Sequence, residues 1–332
     1  MTLAAATAAG IHCLPIPTPF AVGRVNCWLI EDDPLTLVDC GPNSGQSLDE
    51  LERALREHGR RIEDLGRIVL THQHIDHVGL VGILARRSGA EVVALDRLAP
   101  VLEDSATAAE HDDELAEAIM LRHGIPREVV IALRSLSRAF RGWGGGAPVD
   151  RPVADGAELE FAGRRLQVLH RPGHSPSDTV FWDPERGLAI AGDHLLARVS
   201  SNPLIARPLG GRSGEPGDGR PRALSMYLAS LSDTREMPIE VVLPGHGEPV
   251  EDHVRLIDER FSMHERRAEK IAGLIAERPR SAHEIALALW GNVAVTQAYL
   301  TLCEVLGHVD LLVERGQLRE ATVGGVVHFE RT

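Results

Sequence analysis

The run Thr71-His72-Gln73-His74-Ile75-Asp76-His77 puts three imidazoles and a carboxylate in one short stretch, directly after the apolar segment Ile68-Val69-Leu70. Imidazole nitrogens and carboxylate oxygens are the donors that borderline divalent cations such as zinc take. So many ionisable groups close together suit neither a core nor an ordinary loop, and chemistry at a metal is what they suggest. Three later segments share the same setting. Residues 166–169 lead into His170-Arg171-Pro172-Gly173-His174, 188–191 into Gly192-Asp193-His194, and 241–243 into Pro244-Gly245-His246-Gly247. In each, an apolar run of strand length ends in a turn that carries Gly or Pro and a His or Asp. Strand ends gathered at one edge of a rigid sheet would bring these groups to a common point.

The series HxHxDH, PGH, GDH and PGHG, in this chain order, resembles the metallo-β-lactamase-fold hydrolase superfamily, with a glyoxalase-type dinuclear site. The resemblance covers roughly the first three quarters of the chain. It implies an α/β fold, an αββα sandwich. It also implies His72, His74 and His174 as ligands of a first metal, Asp76, His77 and His246 as ligands of a second, and Asp193 as the bridge. Two divalent ions follow, zinc by default, with iron or manganese compatible with the same ligands. Asp76 and Asp193 become the catalytic carboxylates, and a water shared by the two ions becomes the hydroxide nucleophile. Asp39, in Leu37-Val38-Asp39-Cys40-Gly41, matches the family's buried aspartate and is expected to orient a ligand through hydrogen bonds. His194 reads as a neighbour of the bridge rather than a ligand, and His170 as a strand-end or supporting residue. No Ser or Cys nucleophile is needed, and Cys13, Cys27, Cys40 and Cys303 show no CxxC pairing or metal-ligand spacing.

The catalytic unit is expected to span 1–260. Helices are predicted at 48–58, closed by Gly59, and at 78–87 after the metal motif. A helical insertion over about 99–140 either covers the site or packs outside it, and His111 with its acidic neighbours reads as a solvated helix face. Residues 142–148 form a turn-rich break, and 179–182 with 188–191 form a hairpin around Asp183-Pro184-Glu185-Arg186-Gly187. A long loop over 198–222, rich in Gly, Pro and Arg, reads as a lid or substrate contact. Within it Arg198 and Asn202 are candidates to bind an anionic substrate group.

Residues 261–332 read as a separate unit. Ser281-Ala282-His283-Glu284 has the form of a capping box, and the helix it starts ends near Gly291. Val295, Tyr299, Leu302, Cys303 and Leu306 share one face of the next helix, which Gly307 could break. Strands over 318–323 and 326–330 meet at Gly324-Gly325. Helix, helix and hairpin resemble a winged helix, which one branch of the superfamily, an endoribonuclease among it, carries at its C-terminus.

That likeness raises a ribonuclease or phosphodiesterase as the rival activity. Yet the stretch 290–314 has no Lys or Arg, and the chain's formal net charge of −13 opposes attraction to a phosphate backbone. Its residues also include no signal-like charged start and no span long enough for a membrane helix, so a cytoplasmic enzyme without nucleic-acid or membrane partners is expected. A homodimer is compatible with the C-terminal unit. The expected activity is hydrolysis of a small ester, thioester or lactone. A metal-containing binding or sensor protein with low turnover is the third reading.

Overall fold

Between residues 11 and 244 the strands are mostly apolar runs closed by turn residues, and they form two facing sheets. The computed structural model describes residues 2–209 and 220–332. The first sheet takes β1 (Ile11–Ile16), β2 (Val25–Ile30), β3 (Thr36–Val38), β4 (Arg67–Val69), β5 (Glu91–Leu95) and β6 (Arg151–Val153) in chain order. Its β1-β2-β3 part is antiparallel and its β3-β4-β5-β6 part parallel. The second sheet is ordered β11-β10-β9-β8-β7, from β7 (Glu158–Glu160), β8 (Arg165–His170), β9 (Thr179–Asp183), β10 (Leu188–Gly192) and β11 (Val241–Pro244). The predicted hairpin is β9-β10, with Leu188 opposite Asp183.

Side chains alternate across these strands, so the central strands feed two cores. Val69, Val93, Phe181, Ile190 and Leu243 fill the space between the sheets. Ile68, Val92 and Ala94 face outward to Leu51, Leu55, Val81 and Leu84 of the helices Gly45–Glu57 and Val81–Ser88. Val180, Ala189 and Val242 face the other way, to Leu224, Tyr227 and Leu231 of helix Ala223–Arg235 and Ile257 of helix His253–Glu277. The layers are therefore helix, sheet, sheet, helix. Strands covered on both faces have no polar side to show, which explains their unbroken hydrophobicity.

The remaining elements share a further core. Ile119, Met120, Ile125 and Val130 of the insertion pack with Ala268, Ile271, Ile285, Leu302, Leu306 and Phe329 of the C-terminal elements. The insertion's helices Ser105–Arg122 and Arg127–Phe140 are thus packed into this core. Its far end still comes beside the motif region: the Trp143 carbonyl accepts from the Asn43 amide at 2.7 Å, and Phe140 meets Phe20 edge-on. The acidic helix face is not simply solvated, because Glu110 is held by Arg134, Arg138 and Arg141.

After helix His253–Glu277 the C-terminal elements continue with β12 (Arg280–Ser281) and end in the hairpin β13 (Leu318–Val323) and β14 (Val326–Arg331), in a sheet ordered β12-β14-β13. The capping box at Ser281 and Glu284 forms as its spacing predicts, and that helix stops at Gly291. Two departures have local causes. Gln297 divides the next helical stretch into Val293–Thr296 and Ala298–Glu314, leaving Val295 39% exposed instead of on the packed face. Gly307 does not break Ala298–Glu314, because the helix crosses Leu224 so closely that a Cβ there would lie 2.7 Å from Leu224 Cβ. No helix among the described residues is long and apolar enough to cross a membrane.

Two histidines make this region acid-sensitive. His123 stacks on Phe329 at 6.0 Å, and burial, with Arg220 and Arg122 nearby, pushes its pKa down to about 3. Burial, then His308, Arg267 and Arg260, does the same to His264, also to about 3. An unfolded imidazole titrates near pH 6.5, so between these values the unfolded chain binds the extra protons. Stability from this source is complete above about pH 6.5 and falls as pH drops toward 3. Denaturant midpoints measured down that range should decline, with a slope for the two groups approaching about 2.7 kcal/mol per pH unit. His123→Gln should remove part of the slope, and an unchanged slope would show that His123 does not contribute.

Candidate metal centre

The motif turn follows β4, and His174, Asp193 and His246 follow β8, β10 and β11. One of these strand ends therefore belongs to the first sheet and three to the second, so the site sits across the open edge between the sheets. The structure brings all seven predicted ligand residues together. His72, His74 and His174 form one group whose ligand atoms lie within 4.8 Å of one another, Asp76, His77 and His246 form another, and His72, His77 and Asp193 a third. Asp193 stands between the first two: its Oδ2 is 3.6 Å from His174 Nε2 and 3.6 Å from His246 Nε2. Its Oδ1 is 3.5 Å from His77 Nε2, and Asp76 Oδ2 is 3.3 Å from His246 Nε2.

Hydrogen bonds on the outer side of each ring decide which nitrogen faces inward. The Asp39 carboxylate accepts from the Thr71 amide at 2.9 Å, from the Thr71 hydroxyl at 2.8 Å and from His77 Nδ1 at 2.7 Å. With its own proton given to Asp39, the Thr71 oxygen can only accept from His72 Nδ1, 2.9 Å away. His246 Nδ1 donates to the Arg24 carbonyl at 2.8 Å, and His174 Nδ1 to the Asn202 carbonyl at 3.2 Å. Each of these four rings thus keeps its proton outside and turns a bare Nε2 to the centre. His74 Nδ1 completes the first group, 3.0 Å from His72 Nε2 and 2.9 Å from His174 Nε2. His77 Nε2, His246 Nε2 and Asp193 Oδ1 are buried without a hydrogen-bond partner. Converging lone pairs and carboxylate oxygens of this kind fit divalent cations.

Electrostatics point the same way. Burial, with His77 and His74 beside it, holds His72 well below the usual imidazole range, and burial with His174 brings His74 down to about 3. For His77 burial also opposes charge, but Asp193, Asp39 and Asp76 outweigh it and raise its pKa. Burial likewise opposes charge on Asp193 and Asp76, yet His77 and His246 hold both carboxylates ionised. His246 is raised against burial by Asp76 and Asp193. A cluster of buried anions demands positive charge, and a cation meets that demand as well as a proton on His77 or His246 does.

The backbone closes tightly around the cluster. A Cβ at Gly245 would lie 2.4 Å from Asp193 Oδ1 and 2.7 Å from His77 Cε1, so only glycine fits that turn. Asp39 itself has φ 61°, a left-handed conformation that Asp tolerates better than most residues. Gln73, His74 and Ile75 are half-buried and form the accessible side. Neighbouring histidines are spoken for: His194 Nε2 pairs with the Thr234 hydroxyl at 2.8 Å, and His170 Nε2 donates to the Pro176 carbonyl at 2.9 Å.

The matching family model is the metallo-beta-lactamase superfamily, over residues 21–246. The chain belongs to that superfamily. Within it, the chain is 28% identical to the Bacillus subtilis protein named probable metallo-hydrolase YqjP, over 98% of each chain. It is 26% identical to hydroxyacylglutathione hydrolase GloC of Haemophilus influenzae, over 69% of this chain and 88% of that one. A metallo-beta-lactamase family protein from Thermus thermophilus has a solved structure that matches with a TM-score of 0.79 and 29% identity, covering 97% of this chain and 99% of the other. Superfamily membership and the metallo-hydrolase relatives make this chain a metal-dependent hydrolase.

The predicted substrate contacts fare differently from the ligands. Arg198 is exposed and makes no hydrogen bond or ion pair among the described residues. Asn202 donates its amide nitrogen to the Leu300 carbonyl at 3.2 Å. What it leaves unpaired is the acceptor Oδ1, which has the wrong polarity for an anion. The loop around them is not a free lid: Arg207 pairs with Asp112 at 2.8 Å, and Ile205 is buried in the C-terminal core. Gly210, Gly211, Gly217, Asp218 and Gly219 of that predicted loop lie outside the described residues. Sequence reading missed Thr71, Arg24 and Asn202 as supports of the cluster. Two of them act through backbone carbonyls, which leave no mark on residue type.

Proposed function

We propose that this hydrolase is dinuclear and that its substrates are small esters, thioesters or lactones. His72, His74 and His174 hold one ion, Asp76, His77 and His246 the other, and Asp193 both. The observation that carries the reading is Asp193 Oδ2, equidistant at 3.6 Å from an inward nitrogen of each group. Zinc is the default occupant, and iron or manganese suits the same donors. Bound there, two such ions supply Lewis acidity and an activated water. The chain's own residues hold that chemistry in place: Asp39 and Thr71 keep His77 and His72 in the ligating tautomer, and the buried carboxylates keep the centre ionised. The relative named for hydrolysis of hydroxyacylglutathione, a thioester, supports the substrate class. So does charge, since helix Ala298–Glu314 carries Glu304, Asp310 and Glu314 and no basic residue to meet a phosphate backbone. We place residues 261–332 as a winged-helix-like appendage to a catalytic unit over 1–260, in a cytoplasmic enzyme whose four thiols are unpaired.

The test is elemental analysis of native protein joined to a screen of esters, thioesters, lactones, phosphodiesters and single-stranded RNA. Two ions per chain and turnover of the first three classes are expected, and His72→Ala should remove the first ion and nearly all of the turnover. Normal metal content and full activity in that variant would end the assignment. Turnover confined to phosphodiesters or RNA would make the chain a nuclease, and full metal with no turnover a binding protein. Arg198, exposed and unpaired, is the proposed contact for an anionic substrate group. Arg198→Ala should raise KM for anionic esters by roughly tenfold, about the strength of one charge-assisted hydrogen bond, and leave neutral esters alone. Equal effects on both would remove Arg198 from the pocket.

A further inference from the structure

Residues 201–205 form a strap that touches the metal cluster on one side and the C-terminal core on the other. Toward the cluster, the Asn202 carbonyl accepts from His174 Nδ1 at 3.2 Å, and the Leu204 amide donates to the His174 carbonyl at 3.2 Å. The Ser201 hydroxyl donates to the backbone carbonyl of Asp193. Toward helix Ala298–Glu314, Asn202 Nδ2 donates to the Leu300 carbonyl at 3.2 Å, and the Tyr299 hydroxyl to the Ile205 carbonyl. The Ile205 amide donates to Cys303 Sγ at 3.5 Å, and the Ile205 side chain is 3% exposed in the C-terminal core.

We propose that helix Ala298–Glu314 is a positioning element of the metal centre, acting through Tyr299 and Asn202 on His174. The inference rests on the reading of His174 as a ligand. Its logic is tautomeric. His174 ligates through Nε2 only while its proton stays on Nδ1, and Asn202 O is the acceptor that keeps it there. A carbonyl is only as well placed as the backbone that bears it. This backbone is fixed by the Tyr299 hydroxyl and the Cys303 thiol, which meet it from the C-terminal helix, and by its own Asn202 amide, which donates to the Leu300 carbonyl of that helix. Once the strap is loosened, the imidazole can turn or move its proton to Nε2, and the first metal loses a donor. The chain segment around the second metal, by contrast, is braced by Asp39 and the Arg24 carbonyl, neither of which touches the strap. The appendage therefore serves the first ion more than the second, since the strap reaches the shared Asp193 only at its backbone carbonyl, through Ser201.

The experiment uses the full-length chain, stripped with chelator and titrated with cobalt(II) by visible absorption, then with zinc against a competing chelator. Tyr299→Phe removes only the hydroxyl. Asn202→Ala removes the amide but keeps the carbonyl, and Asn202→Asp keeps the shape but opposes an acceptor to Leu300 O. His174→Ala is the comparator, and denaturant midpoints report folding. One of the two ions should bind about 10-fold to 100-fold more weakly in Tyr299→Phe and in both Asn202 variants, with altered cobalt(II) bands. The other ion should be retained, and the aspartate variant should be no better than the alanine one. Wild-type affinity and spectra at both ions in folded Tyr299→Phe and Asn202→Asp, with His174→Ala impaired, would overturn this inference alone. Wild-type metal binding in His174→Ala would instead overturn the ligand reading beneath it. Equal weakening of both ions would show a general loosening and no positioning role.

Discussion

In the Asp193→Asn protein both ions are expected to be held loosely and hydrolysis to be nearly lost, with the fold intact. The argument starts from the carboxylate's place, with one oxygen 3.6 Å from inward nitrogens of two separate ligand groups and the other 3.5 Å from a third. Asparagine fills the same volume but brings no negative charge and turns an N–H toward bare imidazole nitrogens. Structural zinc held by four ligands is worth roughly 10–16 kcal/mol, so one ligand is worth about 3 kcal/mol, or on the order of 10²-fold in affinity. A shared ligand should exact that loss at each site. Metal content after dialysis against graded chelator tests the point. Two tightly held ions in Asp193→Asn would exclude bridging, and the loss of one ion would assign the carboxylate to a single site.

The second large effect is expected at Asp39, which touches no metal position. Its carboxylate is 1% exposed and receives three donors, two from Thr71 and one from His77. Asp39→Ala leaves all three buried donors without an acceptor, at about 1–3 kcal/mol each, and puts alanine at a left-handed φ. A loss of at least about 3 kcal/mol in urea unfolding is expected. Asp39→Asn separates orientation from stability, because Asn accepts the same backbone conformation. Its amide nitrogen facing His77 would favour the tautomer with the proton on Nε2, the atom needed by the second ion. That ion should bind about 10-fold to 100-fold more weakly while the fold survives. Metal titration showing wild-type affinity in Asp39→Asn would mean that His77 is oriented by its packing instead.

The contrast between Asp193 and Asn202 explains what could be read from the chain. Asp193, His72 and their partners stand out because ionisable side chains after apolar strands have few structural uses, and their order repeats a known pattern. The Ser281 capping box and the Gly324-Gly325 hairpin are equally legible, since a helix start and a tight turn are decided by residues three or four apart. Asn202 misleads for the opposite reason. Its functional atom is a carbonyl that every residue has, and its side chain points to Leu300, 98 positions away. Gly307 misleads because a lone glycine signals a break locally, whereas its use is the crossing with Leu224. The two-sided choice left open for the insertion could not be made from helical periodicity. A face built from Ile119, Met120 and Val130 says that it is buried, not against which partner.

Helix His253–Glu277 runs without interruption from Leu256 and Ile257, under the second sheet, to Ala268, Ile271 and Ile275, inside the C-terminal core. Cutting the chain near residue 260 would therefore sever a rod rather than a hinge. The shortened product would lose the cover of one layer, and the released piece would lack its central pillar. Calorimetry of the whole chain should accordingly trace a single heat-absorption peak, with the appendage and the sandwich giving way together.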